Sequence, residues 1–302
     1  MYPDVLVHLF TVFAGLFGAV VGSFLNVCIY RLPRGYVSIV FPGSHCTQCG
    51  TMLRWYDNIP VLSWISLGGA CRYCRTIIRS RYLLVEILTA SLFIFYVRKI
   101  ALVPLPYFAS LTLTQQCFAL FVAIYLVSLM VIITFIDIDY RIIPDCITYP
   151  GIVLAPFLSA ICPVFHPQIE AISDPHLSGL ISALLGILVG GGSLYFVGVL
   201  GKVIFRKEAM GLGDVKMMAL VGGFIGWDSA LIIFLLACIL GTFIGIFSLL
   251  ITKDHYIPFG PYLAAGTLVT LLFKQDIINL GFHVWPEIVA RWIGFFGYNY
   301  GY

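Results

Sequence analysis

The sequence predicts an all-α polytopic membrane protein of about eight transmembrane helices. Three observations predict it. Hydrophobic residues fill 61% of the 302 positions and charged residues 10%, with a mean hydropathy of +1.01, whereas soluble domains carry about 25% charged residues. Apolar runs long enough to cross a bilayer, about 20 residues at 1.5 Å rise, recur along the chain. The basic residues gather in alternate connections between those runs, the asymmetry that orients membrane helices.

Residues 5–29 form the first predicted span, with Gly18 and Gly22 at a spacing that lets helices approach closely. The run lacks the basic lead-in and small-residue cleavage site of a signal peptide, so it reads as a retained helix. Residues 31–81 are the one long polar segment and hold seven arginines, from Arg31 to Arg81. Residues 82–97 form the second span, with Glu86 in its first turns and Arg98 and Lys99 at its end. Residues 117–136 form the third, which contains no charge, and 147–164 the fourth, interrupted by Pro150, Gly151 and Pro156. A loop over 166–176 without Lys or Arg precedes the fifth span, 177–205, with Gly186 and Gly190 inside it. Residues 215–227 are short for a crossing and reach a usable length only if the helix begins near Gly211, which sets Asp214 in its first turn. Residues 231–251, with Gly241 and Gly245, and residues 258–273 complete the eight. After Lys274 comes a tail with Phe282, Trp285, Trp292, Phe295 and Phe296, expected at the membrane interface or as a ninth segment. The expected units are thus 1–30, a first helix; 31–81, a polar loop domain; 82–274, a membrane core; and 275–302, the tail.

If the 31–81 loop is cytoplasmic, alternation places Arg141, the Lys202–Lys216 group and Lys253 there too. That is 13 of the 17 basic residues. The net charge of +3 gives no reason to expect a nucleic-acid partner.

Four of the nine cysteines form two pairs, Cys46-x-x-Cys49 and Cys71-x-x-Cys74, inside the polar loop. Two such hairpins can give four thiolates to one tetrahedral, structural Zn²⁺. Cytoplasmic thiols stay reduced, which favours metal over the alternative of disulfides or free thiols. A loop with little apolar core would gain its stability from the metal. His45 is adjacent but superfluous. The scattered Cys28, Cys117, Cys146, Cys162 and Cys238 are expected to be small core residues.

Acidic residues number only 14, and acids at the ends of membrane-length runs mark functional sites by default. Asp137, Asp139 and Asp145 follow the third span, and Asp214 stands between glycines in Met210-Gly211-Leu-Gly213-Asp214-Val-Lys216. Two converging carboxylates share a proton near neutral pH, so one can activate water while the other protonates an oxyanion. Asp145, after Pro144, is expected to cap the next helix. On residue types alone a second account stays open, in which each acid caps a helix or pairs with Arg141 or Lys216. A proton- or ion-coupled transporter with relay aspartates is the rival function; it gives no role to the cysteine loop.

Several stretches together resemble the type IV prepilin peptidases, GxGD-type membrane aspartic proteases of type IV pilus and type II secretion systems. They are Gly22-Ser-Phe-Leu-Asn-Val-Cys-Ile-Tyr-Arg-Leu-Pro33, the paired cysteines, Asn58-Ile-Pro-Val-Leu-Ser63, Arg81-Tyr82…Glu86, Asp137…Pro144-Asp145, Gly211-Leu-Gly213-Asp214-Val-Lys216 and Ile257-Pro-Phe-Gly-Pro261. The resemblance implies Asp137, not Asp139, and Asp214 as the catalytic pair, with Gly211, Gly213, Lys216 and Asp145 as supporting motif residues. It implies cleavage of the basic leader of prepilins and pseudopilins at the cytoplasmic face of the bacterial plasma membrane. It further implies N-methylation of the new N-terminal residue with S-adenosylmethionine, for which no binding residues are assigned. The interval between Asp137 and Asp214 is long for the family, and the excess falls in the 166–176 loop.

Overall fold

The computed structural model describes residues 4–35, 38–206, 210–251 and 258–281. The expected tail from Phe282 onward lies outside the described residues, as do Lys207, Lys253 and Ile257. Among the described residues the protein is helical: α1 (Asp4–Arg31), α2 (Leu62–Ser66), α3 (Arg81–Val97), α4 (Pro106–Ala109), α5 (Leu113–Tyr140), α6 (Asp145–Ile161), α7 (Pro175–Phe205), α8 (Leu212–Ile225), α9 (Trp227–Ile251) and α10 (Gly260–Asn279). Among the described residues the only extended pairings are two isolated bridges in the cysteine loop.

Four stretches, Asp4–Arg34, Leu113–Tyr140, Pro175–Ile204 and Trp227–Ser248, are long and apolar enough to cross a membrane. Their outward faces carry large exposed apolar side chains such as Leu9, Phe13, Leu188 and Phe243. In lipid such faces cost nothing, and helix is the form in which a spanning backbone satisfies its own polar groups. The scattered cysteines follow the same logic. Cys28 is buried as expected, but Cys162 and Cys238 are half-buried and Cys117 and Cys146 are exposed. A helix that is apolar all round needs no core position for a small residue.

Helix α5 is the centre. A capping box starts it, with the Gln115 N–H donating to the Thr112 hydroxyl and the Thr112 N–H to the Gln115 side chain. Its buried residues run from Ala119 to Asp137, and α1, α3 and α10 pack against it. Arg141, in the left-handed region, ends it and returns its N–H to the Asp137 carbonyl at 2.9 Å. Small residues set the other close crossings. A Cβ at Gly186 would stand 2.0 Å from the Gly222 carbonyl oxygen, so α7 and α8 meet backbone to backbone. A Cβ at Gly18 or Gly22 would lie 2.8 Å from a backbone atom of α3.

Helix α8 begins one residue after Gly211, as expected, and has 14 residues, about 21 Å at helical rise and short of the hydrocarbon core. Every residue from Met217 to Ile225 is buried, so α8 lies inside the bundle, against α6, α7, α9 and α10. Helix α10 continues past Lys274 to Asn279, with a break in helical geometry at Phe273.

Candidate active site and cysteine cluster

Asp137 lies in the last turn of α5, 7% exposed. Its Oδ2 accepts the backbone N–H of Gly260 at 3.0 Å. Gly260 opens α10 and is followed by Pro261, which has no N–H. The donor is thus one of the unpaired N–H groups of a helix start, where the helix dipole also favours negative charge. Any side chain at 260 would push the Asp137 carboxylate aside, because a Cβ there would stand 2.6 Å from Asp137 Oδ2.

Asp214 sits in the first turn of α8, whose N-cap is Gly211. Its Oδ2 lies 3.4 Å from where a Gly211 Cβ would be, and a Cβ at Gly213 would stand 3.0 Å from Ile143 of the turn that follows α5. The two carboxylates are close enough for the charge of Asp137 to act on Asp214. The other acids go elsewhere. Asp139 pairs with Arg81 of α3. Asp145 pairs with Lys216 at 2.7 Å, and the Lys216 ammonium also lies 4.9 Å from the Tyr149 ring centroid. Lys216 therefore neutralises Asp145. Asp145 is also not the expected cap: Pro144 holds the N-cap position, and Asp145 is the first residue of α6 with no side-chain cap bond. The lysine two residues after Asp214 is on hand to take its charge instead.

The cysteine loop contains two matching knuckles. In the first, the Cys46 N–H donates to the Thr51 carbonyl and the Gly50 N–H to the Cys46 carbonyl. In the second, Cys71 with Thr76 and Arg75 with Cys71 repeat that pattern. Gly50 and Arg75 occupy the same left-handed turn position, at φ of 69° and 58°. The four sulfurs lie within 4.8 Å of one another, Cys46 and Cys74 at 3.7 Å, and no disulfide joins any cysteine. Tetrahedral zinc with bonds of about 2.3 Å holds its sulfurs about 3.8 Å apart, so the set fits a metal of that kind. The Thr51 and Thr76 hydroxyls stand 3.3 Å from the Cys49 and Cys74 sulfurs. Thr76 hydrogen bonding draws the Cys74 thiol down to about 6, which favours the ligating thiolate.

Three further positions support this region, and the sequence gives none of them a role. Gly260 was visible only as a glycine between prolines at a helix start. Arg81 and Glu86 were seen in a motif without a role. Glu86, 8% exposed, accepts the Val61 N–H at 2.7 Å, so α3 anchors the loop at a β-branched residue held at φ 64°, a costly conformation that needs such support.

Comparison with known proteins gives the family. Residues 16–100 match the family described as Bacterial Peptidase A24 N-terminal domain, and residues 124–246 match the Type IV leader peptidase family. A protein of Myxococcus xanthus named prepilin leader peptidase/N-methyltransferase is 39% identical over 250 residues, 83% of this chain and 66% of that protein. Proteins of the same name from Aeromonas salmonicida and Pseudomonas aeruginosa are 33% and 30% identical, over 92% and 87% of this chain and 91% and 90% of their own lengths. No solved structure matches. The chain belongs to the type IV leader peptidase family.

Proposed function

We propose that this multi-pass inner-membrane protein is an aspartic peptidase that removes the leader of type IV prepilins and pseudopilins and N-methylates the new N-terminus. The observation that carries the reading is the nearness of Asp137 and Asp214. They come from separate motifs and lie within electrostatic reach of each other, while the neighbouring acids are paired with Arg81 and Lys216. Asp137, buried and held by the Gly260 N–H, is fixed in place. Asp214 is half-buried at the start of α8. One carboxylate takes a proton from the attacking water, and the other, protonated, donates to the carbonyl oxygen and then to the leaving amine. Neither metal nor covalent intermediate is needed.

The remaining parts of the reading rest on sequence and chemistry. Eight helices in the membrane, the short α8 buried among the others, and the division at 30, 81 and 274 follow the apolar runs. The 13-to-4 distribution of basic residues sets the dyad and the cysteine loop at the cytoplasmic face, where a basic leader would meet it. Cys46, Cys49, Cys71 and Cys74 would hold structural Zn²⁺, a closed site with no open position for catalysis. S-adenosylmethionine would supply an electrophilic methyl group to the new amine. Asp137 lies at one end of α5, which favours a surface-facing protease over a transporter with relay groups near mid-membrane.

The test is incubation of the purified protein with a prepilin peptide and S-adenosylmethionine, reading cleavage and N-methylation separately by mass spectrometry. Both products are expected. The Asp214→Asn protein is expected to cut nothing yet to methylate a pre-cleaved substrate. Loss of both activities in a folded Asp214→Asn protein would point to one shared centre.

A further inference from the structure

A cavity of about 550 Å³ lies between the cysteine loop and the ends of α1 and α3, and peptide cleavage gives it no work. Its volume is within the roughly 300–1,000 Å³ of small-molecule sites. Among the described residues, four buried side-chain polar atoms lack a hydrogen-bond partner: Asn26 Oδ1, Asp57 Oδ2, Arg81 Nε and Thr270 Oγ1. The first three belong to residues that line this one cavity. Each unmet group costs about 1–3 kcal/mol, and folded proteins leave few of them without a purpose.

The unmet set is two acceptors and one donor. A sulfate offers no donor to the acceptors at neutral pH, and an apolar ligand offers nothing to any of them. An α-amino acid group offers both, its ammonium to Asp57 and Asn26 and its carboxylate to Arg81. The other Asp57 oxygen accepts from Arg72 Nε at 2.6 Å, so the carboxylate is already oriented. Tyr30, Trp64 and Tyr82 line the same wall, and aromatic faces are what a purine stacks on. The frame is fixed on three sides. Asn26 Nδ2 donates to the Tyr82 carbonyl at 2.9 Å, Glu86 holds Val61, and the knuckle residues Cys46 and Cys71 form part of the lining.

We propose that this cavity binds S-adenosylmethionine, with Asp57 and Asn26 receiving its ammonium group and Arg81 its carboxylate. The proposal rests on the methyl-transfer reading above. The cavity reaches Tyr140, and Arg81 pairs with Asp139, so it shares the C-terminal end of α5 with the peptidase carboxylates. In the transfer, the new N-terminal ammonium gives one proton to solvent and its nitrogen lone pair attacks the methyl carbon. The sulfur–methyl bond breaks with its electron pair passing to sulfur. A secondary ammonium and the neutral thioether S-adenosylhomocysteine result.

The experiment uses the full-length, metal-loaded protein in nanodiscs. Binding of S-adenosylmethionine, S-adenosylhomocysteine and 5′-methylthioadenosine, which lacks the amino acid group, is measured for the parent and for Asp57→Asn. Asp57→Asn is expected to weaken the first two by about tenfold or more, the loss of one charge-assisted hydrogen bond, and to leave the third unchanged. Ultraviolet cross-linking of methyl-labelled S-adenosylmethionine to the parent is expected to mark Tyr30, Trp64 or Tyr82. The mapping does not depend on whether a variant folds. If the parent binds no S-adenosylmethionine, the methyl-transfer reading fails and this proposal with it. If the parent binds but Asp57→Asn binds equally well, or the label falls outside the cavity, the site is wrong while the methyl-transfer reading stands.

Discussion

Asp137 and Gly260 are bound to each other by one hydrogen bond and one steric limit, and each makes a separate prediction. Replacing Gly260 with Ala puts a methyl group 2.6 Å from Asp137 Oδ2, so the carboxylate must shift. A displacement of about 1 Å costs about 10²-fold in rate, and Gly260→Ala is expected to lose that much cleavage while keeping its melting temperature, since Ala suits a helix. Asp137→Asn and Asp214→Asn are each expected to lose about 10²-fold or more, because Asn keeps the size but cannot exchange a proton. The double variant is expected to be little worse than either single one, since the two groups act as a unit. Asp139→Asn removes a partly exposed ion pair with Arg81, worth about 1 kcal/mol or less, and is expected to keep most of its cleavage activity. Initial rates on a prepilin peptide check all four. A dead Asp139→Asn beside an active Asp137→Asn would move the site by two residues.

At the scale of elements, the cysteine loop is short of apolar core, and its two knuckles face each other through four sulfurs. Replacing Cys46 and Cys49 by Ser is expected to abolish zinc binding, read by elemental analysis, and to raise amide exchange across residues 44–78. Metal should behave as part of the loop's folding energy. Freshly reduced, active protein without any metal would end that account. The effect should stay local: the loop is anchored to α3 through Glu86 and Val61, whereas the carboxylates are set by α5, α8 and α10.

For the whole molecule, the prediction is orientation. Cysteines introduced at 166–176 are expected to react with an impermeant reagent from outside the cell, and ones near Asn58 to be protected. The described ends of the bundle differ in their polar residues. The 166–176 end carries a satisfied polar cluster, with buried His166 bonded to Ser159 at 2.7 Å and Lys274 paired with Asp228 at 2.6 Å. The opposite end carries the dyad, the cysteine loop and its arginines. Reversed labelling would place the dyad across the membrane from a basic leader.

The apolar runs by themselves determined that helices form and nearly where, because a chain in lipid has few other ways to bond its backbone. The start of α8 at Leu212 and the placing of Asp214 in its first turn were legible from glycines and length. The sequence marks Asp137 and Asp214 as candidates because charge beside hydrocarbon is expensive and therefore rare. Tertiary structure alone decided the partners. Gly260 meets Asp137 across 123 residues and Glu86 meets Val61 across 25; helix packing makes such contacts, and no local pattern encodes them. Packing also made α8 an interior helix, sent Lys216 to Asp145, and gathered three unpaired polar atoms around one cavity. Periodicity says which residues a helix offers; only the neighbouring helices determine what each of them touches.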